Sequence, residues 1–218
     1  CNQSIKAHIK NIYSLTSNIE YAGMLNWSSN IPNGSKQIFE TILNRFKNKS
    51  CNILEIGTYS GTSIIGMLRY LPDAKATVID MWEDYEENKL LQSMKENNIE
   101  NIFLNNLKVG NVIDRVKPIK GDSKDILMKL LQSGNKYDFI YVDGSHKCLD
   151  CYSDMIVSWE MLPSGGILGI DDYLWKPEND TKSNMLSLPY YAVEHFMERY
   201  KGKYTILDIG YRVFLQKL

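Results

Sequence analysis

Four things are scarce in this chain of 218 residues. Cysteine occurs four times, at positions 1, 51, 148 and 151. That is too few, and too unevenly spaced, for a disulfide framework at this length, so reducing, cytoplasmic conditions are expected. Net charge is nearly absent: 25 Lys and Arg stand against 26 Asp and Glu, leaving -1. Such a balance gives no general pull towards phosphate backbones or anionic lipid, so neither nucleic acid nor a membrane is an expected partner. No uninterrupted apolar run approaches the roughly 18 residues that a membrane span needs. The dinucleotide fingerprint G-x-G-x-x-G is missing as well. In Gly57-Thr58-Tyr59-Ser60-Gly61 a tyrosine occupies the second glycine position, where a pyrophosphate would be crowded.

What remains is ordinary globular material, 44% hydrophobic and 23% charged, of a size for one large α/β domain. Ser4 to Glu20 reads as a polar helix. Tyr21 to Ser35 reads as a loop carrying Met24 and Trp27, which either pack on the body or close over a ligand. Residues 1–34 are therefore set apart as an N-terminal helix and loop, a candidate lid, and 35–218 as the main domain. The chain opens on Cys1. A processed form, a removed leader and a piece of a longer protein all stay open.

From Ser35 the pattern becomes regular. Strands are expected at Asn52 to Ile56, Ala76 to Asp80, Arg115 to Ile119, Tyr137 to Val142 and Ile167 to Ile170. Between them the spacing predicts helices over Thr62 to Leu71, Glu86 to Leu107, Ser123 to Gln132 and the stripe Cys148, Cys151, Tyr152, Met155, Ile156, Trp159. A helix over Tyr190 to Tyr200 and a hairpin, Tyr204 to Leu207 with Tyr211 to Gln216 around Asp208-Ile209-Gly210, follow. Alternating strands and helices predict a doubly wound, mainly parallel sheet, and the hairpin makes the last strand antiparallel.

Ligands of such sheets sit beyond the carboxyl ends of the strands. Five consecutive ends carry acids here: Glu55 before Gly57, then Asp80, Asp122, Asp143 and the pair Asp171-Asp172. Gly57 and Gly61 permit a tight turn, and a helix starting near Thr62 offers N–H groups to an anion. Asp80 suits the two hydroxyls of a ribose, Met81 and Trp82 flank an adenine face, and Asp122-Ser123 reach its amino edge. This describes a nucleoside with a small charged tail. Asp143, Asp171 and Asp172 are expected on neighbouring strand ends, and two carboxylates about 4 Å apart repel by about 4 kcal/mol at an effective dielectric of 20. They call for a raised pKa or a hard cation such as Mg²⁺, unless they merely cap helices. His146, three residues past Asp143, is the candidate general base. Cys148 and Cys151 fall on the buried stripe of their helix and read as core, since a zinc site would need four ligands.

The segments ILEIGTYSGTS, TVIDMW, IKGDSKDIL, YDFIYVDGSH and LPSGGILGIDDY, in this order, resemble the class I S-adenosylmethionine-dependent methyltransferases. The likeness is to catechol O-methyltransferase and to the macrocin and other sugar O-methyltransferases, over Ser35 to Leu218. It implies a Rossmann-like seven-stranded sheet of order 3-2-1-4-5-7-6. It implies that Glu55, Gly57, Tyr59, Gly61 and Ser63 hold the methionine part of S-adenosylmethionine, Asp80 the ribose, Met81 the adenine face, and Asp122 with Ser123 the adenine edge. Asp143, Asp171 and Asp172 match magnesium ligands. Asp172 and His146 stand where the catechol enzymes carry Asn and Lys, which favours a sugar-type acceptor. The N/D-P-P-Y signature of N-methylation is absent.

The expected chemistry is O-methylation of a small-molecule or sugar hydroxyl bound to Mg²⁺, with His146 and Asp143 at the reacting end. Two vicinal hydroxyls would chelate the ion best. An NAD-dependent oxidoreductase and a non-catalytic binding module of a larger protein are the rivals. A homodimer is compatible with this reading.

Overall fold

The structure is a computed structural model, and it describes residues 41–83, 99–175 and 188–218. The expected helix over Ser4 to Glu20, the loop with Met24 and Trp27, the candidate lid and most of the stretch Glu86 to Leu107 lie outside the described residues.

Among the described residues the main elements are, in order, β1 (Cys51–Ile56), α1 (Thr62–Tyr70), β2 (Ala74–Asp80), α2 (Ile99–Val109), β3 (Val116–Lys120), α3 (Ser123–Gln132), β4 (Phe139–Val142), α4 (Cys148–Met161), β5 (Ile167–Ile170), α5 (Pro189–Arg199), β6 (Tyr204–Ile209) and β7 (Val213–Lys217). The sheet order is β3-β2-β1-β4-β5-β7-β6. This is the Rossmann-like methyltransferase topology that the sequence resemblance implied.

Burial explains the order. β4 and β5 are Phe-Ile-Tyr-Val and Ile-Leu-Gly-Ile, buried at every position, as parallel strands covered on both faces must be. β3 and β6 are half-exposed and take the two edges. β1 pairs parallel with β4 and β4 with β5. β7 runs antiparallel to β5, with Ile170 opposite Val213, and β6 runs antiparallel to β7 with a register shift between Ile206 and Asp208. The hairpin differs from expectation in its turn. β6 runs on through Ile209, and β7 starts at Val213. Tyr211 and Arg212 therefore leave the predicted strand and become turn residues.

The described residues group into two compact units. In one (Thr58–Ala76 and Trp82–Lys117 with the preceding N-terminal part), α1 and α2 bury Ile64, Ile65, Leu68, Phe103 and Leu107. Trp82 packs on Phe103 with ring centroids 4.9 Å apart, and Arg115 Nη1 donates to the carbonyls of Leu71, Pro72 and Ala74 at 3.0–3.2 Å. In the other (Cys51–Gly57, Thr77–Met81 and Pro118–Leu218), α3 buries Ile126, Leu127 and Leu130, and α4 buries Cys148, Cys151, Met155 and Trp159. Trp159 meets Phe196 edge-on at 5.5 Å, and Phe196 lies 4.7 Å from Tyr200. Cys148 and Cys151 are buried free thiols, as the stripe predicted, and Cys51 is a third, its thiol pushed up to about 12 mainly by burial.

Candidate active site

Within the second unit the ends of five strands are tied into one row by backbone hydrogen bonds. Gly121 N–H donates to Asp80 O (2.9 Å), Gly57 N–H to Ile79 O (2.8 Å), Asp143 N–H to Ile56 O (2.9 Å), and Asp171 N–H to Val142 O (2.9 Å). The acids that follow these bonds, Asp80, Asp122, Asp143, Asp171 and Asp172, are thus brought to one rim. Gly57 is required there. Its φ is +82°, and a Cβ would fall 2.0 Å from the Asp143 carbonyl oxygen. Glu55 is fully buried at the end of β1. Tyr59, Gly61 and Ser63 belong to the first unit, where the Tyr59 carbonyl accepts from Trp82 Nε1 at 2.9 Å.

Two expected adenine-edge residues have other duties. Asp122 caps α3, its Oδ1 accepting from Lys124 N–H at 2.8 Å. The Ser123 hydroxyl donates to Asp154 Oδ1 at 2.8 Å, so its proton is committed inside the protein. Asp154 is buried, 1% exposed, and its carboxyl is pushed up to about 7, first by burial, then by Asp150 and Asp122, against the Ser123 hydrogen bond and Lys124. Neighbouring Asp150 accepts from Ser145 Oγ (3.0 Å) and pairs with Lys124 Nζ (2.6 Å), which pins the loop that carries His146.

At the other end of the rim, Asp143, His146, Asp171 and Asp172 line a small recess open to solvent together with Ser145 and Pro189. Among the described residues Asp143, Asp171 and Asp172 cap neither α4 nor α5, so the helix-capping alternative finds no support there. Each acid has a different setting. Asp171 Oδ2 accepts from Tyr141 OH at 2.5 Å and from Arg212 Nε and Nη2 at 3.0 Å each, while its Oδ1 accepts from Asp172 N–H at 2.8 Å. Arg212 Nε also reaches Tyr141 OH at 2.7 Å. Asp172 Oδ2 lies 2.8 Å from His146 Nε2, and its Oδ1 accepts from Tyr211 OH at 2.8 Å. No hydrogen bond reaches the Asp143 carboxylate among the described residues.

The charges follow from these contacts. Burial, then the neighbouring Asp171, Asp172 and Glu55, raise the Asp143 carboxyl well above the usual carboxylate range. Asp171 is raised too, because burial outweighs Arg212. Asp172 is also desolvated, yet the hydrogen bonds from His146 and Tyr211 hold it below its usual range. Arg212 is held firmly protonated: burial opposes its charge, and Tyr141, Asp171 and Asp143 overcome that. Asp172 has φ +56°, a left-handed backbone that an aspartate tolerates and that turns consecutive carboxylates to different partners. The His146 ring stacks on Trp175 at 4.1 Å, 8° from parallel.

Arg212, Tyr211, Tyr141 and Trp175 were not among the sequence candidates. Tyr141 is hidden in an unbroken apolar strand. The dipeptide Tyr211-Arg212 following Gly210 was the one available signal, and it read as strand.

The expected Mg²⁺ ligand set does not fit this arrangement. Of the three carboxylates, Asp171 is already neutralised by Arg212, and four donors occupy its two oxygens. Among the described residues no three His, Cys, Asp or Glu side chains are grouped to hold a metal ion. The crowding of acids that raises the Asp143 carboxyl would be relieved by a positively charged sulfonium nearby.

Comparison with known proteins agrees with the fold. An O-methyltransferase from Bacillus cereus in complex with S-adenosylhomocysteine is 18% identical, with a TM-score of 0.61 over 97% of this chain and 90% of its own. TomG of Streptomyces achromogenes, an O-methyltransferase of tomaymycin synthesis solved with S-adenosylmethionine, is 18% identical, with a TM-score of 0.62 over 96% and 89%. The mycinamycin-pathway methyltransferase MycE, solved with Mg²⁺, S-adenosylhomocysteine and mycinamycin VI, is 14% identical, with a TM-score of 0.61 over 94% and 54%. No curated protein sequence matches the chain. The methyltransferase-domain family matches residues 54–173, which run from the strand before the Gly57 turn through the Asp171-Asp172 pair, and the chain belongs to that family.

Proposed function

We propose that the protein is an S-adenosylmethionine-dependent O-methyltransferase acting on the hydroxyl of a small molecule. The observation that carries this reading is the histidine–carboxylate contact of 2.8 Å between His146 and Asp172, in an open cavity beside the acidic rim of a methyltransferase fold. When bound, the cofactor supplies an electrophilic methyl group on a positively charged sulfur. Glu55, Gly57, Asp80, Met81 and Asp122 would hold it, as the resemblance implies. Tyr59, Gly61 and Ser63 keep the role that the resemblance implies. Ser123 acts indirectly, by fixing the start of α3 to Asp154.

At the acceptor end, Asp172 accepts the Nε2 proton of His146 and so leaves Nδ1 as the base. Trp175 holds the ring plane, and Tyr211 holds the other oxygen of Asp172. His146 Nδ1 removes the hydroxyl proton as the oxygen is methylated, and the imidazolium formed is stabilised by Asp172. The ionised Asp172 gives the rim negative potential complementary to the sulfonium, and a bound sulfonium would favour ionisation of Asp143. Much of the rate comes from holding acceptor and methyl in line at contact. Mg²⁺ is not part of this proposal, because two of its three expected ligands, Asp171 and Asp172, are otherwise engaged. The preference for vicinal diols rested on chelation and goes with it. A sugar-type acceptor then rests only on Asp172 and His146 standing where catechol enzymes carry Asn and Lys.

Calorimetry with S-adenosylhomocysteine and with NAD tests the cofactor, and methyl transfer from labelled S-adenosylmethionine across an acceptor panel tests the reaction. His146→Ala is expected to keep cofactor affinity and lose about 10²–10⁴-fold in turnover. Binding of NAD in place of S-adenosylhomocysteine would overturn the proposal, and binding of neither would favour the non-catalytic module.

A further inference from the structure

We infer that Arg212 supplies, from within the chain, the positive charge that a divalent ion would bring to this acidic rim, so that the acceptor end works without a metal. The inference rests on the proposed reading only in taking this cavity as the acceptor end.

The arrangement is a built one. The Arg212 side chain is 11% exposed, and that of its partner Asp171 is 6% exposed. A charge so far out of water persists only when paired and hydrogen-bonded. Here the guanidinium makes three contacts of 2.7–3.0 Å, to Tyr141 OH and twice to Asp171 Oδ2. Tyr141, itself fully buried, donates back to the same oxygen. The carboxylate that a metal would need as its central ligand is therefore saturated on Oδ2 and occupied on Oδ1 by Asp172 N–H. A divalent ion placed between Asp143 and Asp172 would also meet the fixed charge of Arg212, which already acts on Asp143. Like charges so placed repel, which opposes what two remaining carboxylates would gain.

The consequence is chemical. A metal-bound hydroxyl would be acidified by the ion and would require little of a base. With Arg212 in that place, proton removal falls to His146.

The test uses the intact protein and two separate readouts. Titration with Mn²⁺, followed by electron paramagnetic resonance and calorimetry, reports on the ion. Calorimetry with S-adenosylhomocysteine, in chelator and in millimolar Mg²⁺, reports on the cofactor. The wild-type protein is expected to bind no stoichiometric Mn²⁺ below millimolar concentration, and its S-adenosylhomocysteine affinity is expected to change less than about twofold between the two buffers, well under the tenfold that 1.4 kcal/mol represents. Arg212→Met keeps the aliphatic volume and removes the charge, and this variant is expected to gain Mn²⁺ binding that Asp143→Asn then abolishes. Arg212→Lys keeps a charge and serves where the Met variant does not fold; it is expected to stay metal-free. One tightly bound Mn²⁺ in the wild type, displaced by Mg²⁺, would overturn the inference. So would a folded Arg212→Met that binds no ion. Failure to bind S-adenosylhomocysteine in either buffer would instead remove the cofactor reading and leave the Arg212 result standing.

Discussion

Replacing Asp154 with Asn should stabilise the protein at alkaline pH and do little at acid pH. Asp154 lies on α4, 1% exposed, and its carboxyl is raised from 3.8 to about 7. The native state therefore holds this proton after the unfolded chain has released it. Stability contributed by the protonated form is complete below about pH 4, falls as the pH rises towards 7, and is absent above that. About three pK units correspond to roughly 4 kcal/mol at 1.36 kcal/mol each, an upper figure for the penalty of the buried anion. The Ser123 bond is already counted in that shift, but the Asn amide would bring extra N–H donors into a buried place, at a cost of about 1–3 kcal/mol if they find no partner. A net gain of about 1–2 kcal/mol at pH 8 is the expectation, read as a higher urea midpoint at unchanged m-value, with near equality at pH 4.5. Asp150 and Asp122 add to the penalty and Lys124 opposes it, so Lys124→Met should widen the difference. An Asp154→Asn protein less stable than wild type by the same amount at both pH values would refute the reasoning, because the carboxyl would then be serving as an ordinary paired anion.

Other substitutions probe other parts of the molecule. Gly57→Ala forces a Cβ to within 2.0 Å of the Asp143 carbonyl oxygen at a φ of +82°, and should cost about 3 kcal/mol or more in chemical denaturation. Phe196→Ala removes a fully buried ring that packs on Trp159 and Tyr200 and should cost about 3–5 kcal/mol by the same assay. Tyr211→Phe deletes one hydrogen bond to Asp172; turnover should fall about fivefold to tenfold, in line with about 1–1.5 kcal/mol, with cofactor affinity unchanged by calorimetry.

The parts of this protein that burial dictates were legible in the sequence. Ile126, Leu127 and Leu130 mark one face of α3, and its boundaries, Ser123–Gln132, match expectation because an aspartate cap sets the start. The strand-end acids were legible because the topology leaves them one place to go. What could not be read was the partnership of each acid. Asp171 and Asp172 are adjacent and identical in type, yet a left-handed φ at Asp172 sends one carboxylate to Arg212 and the other to His146. Ser123 looked like an adenine contact until its hydroxyl was found on Asp154, 31 residues away. No local pattern encodes a side-chain partner at that separation.

The antiparallel strand carries the most consequence for chemistry. In a parallel sheet every carboxyl end points to the ligand side, so a strand arriving there brings only residues that follow it. β7 runs the other way, and its first residue, Val213, faces Ile170, the last of β5. The residues just before β7 are thereby delivered to those just after β5, which sets Tyr211 and Arg212 on Asp172 and Asp171. Had the hairpin turned two residues earlier, as the sequence pattern suggested, Tyr211 and Arg212 would sit inside the strand, with their side chains on opposite faces of the sheet. They could not then reach two adjacent acids at once. The shift of the turn to Gly210–Arg212 is thus what places a cation and a phenol on one rim.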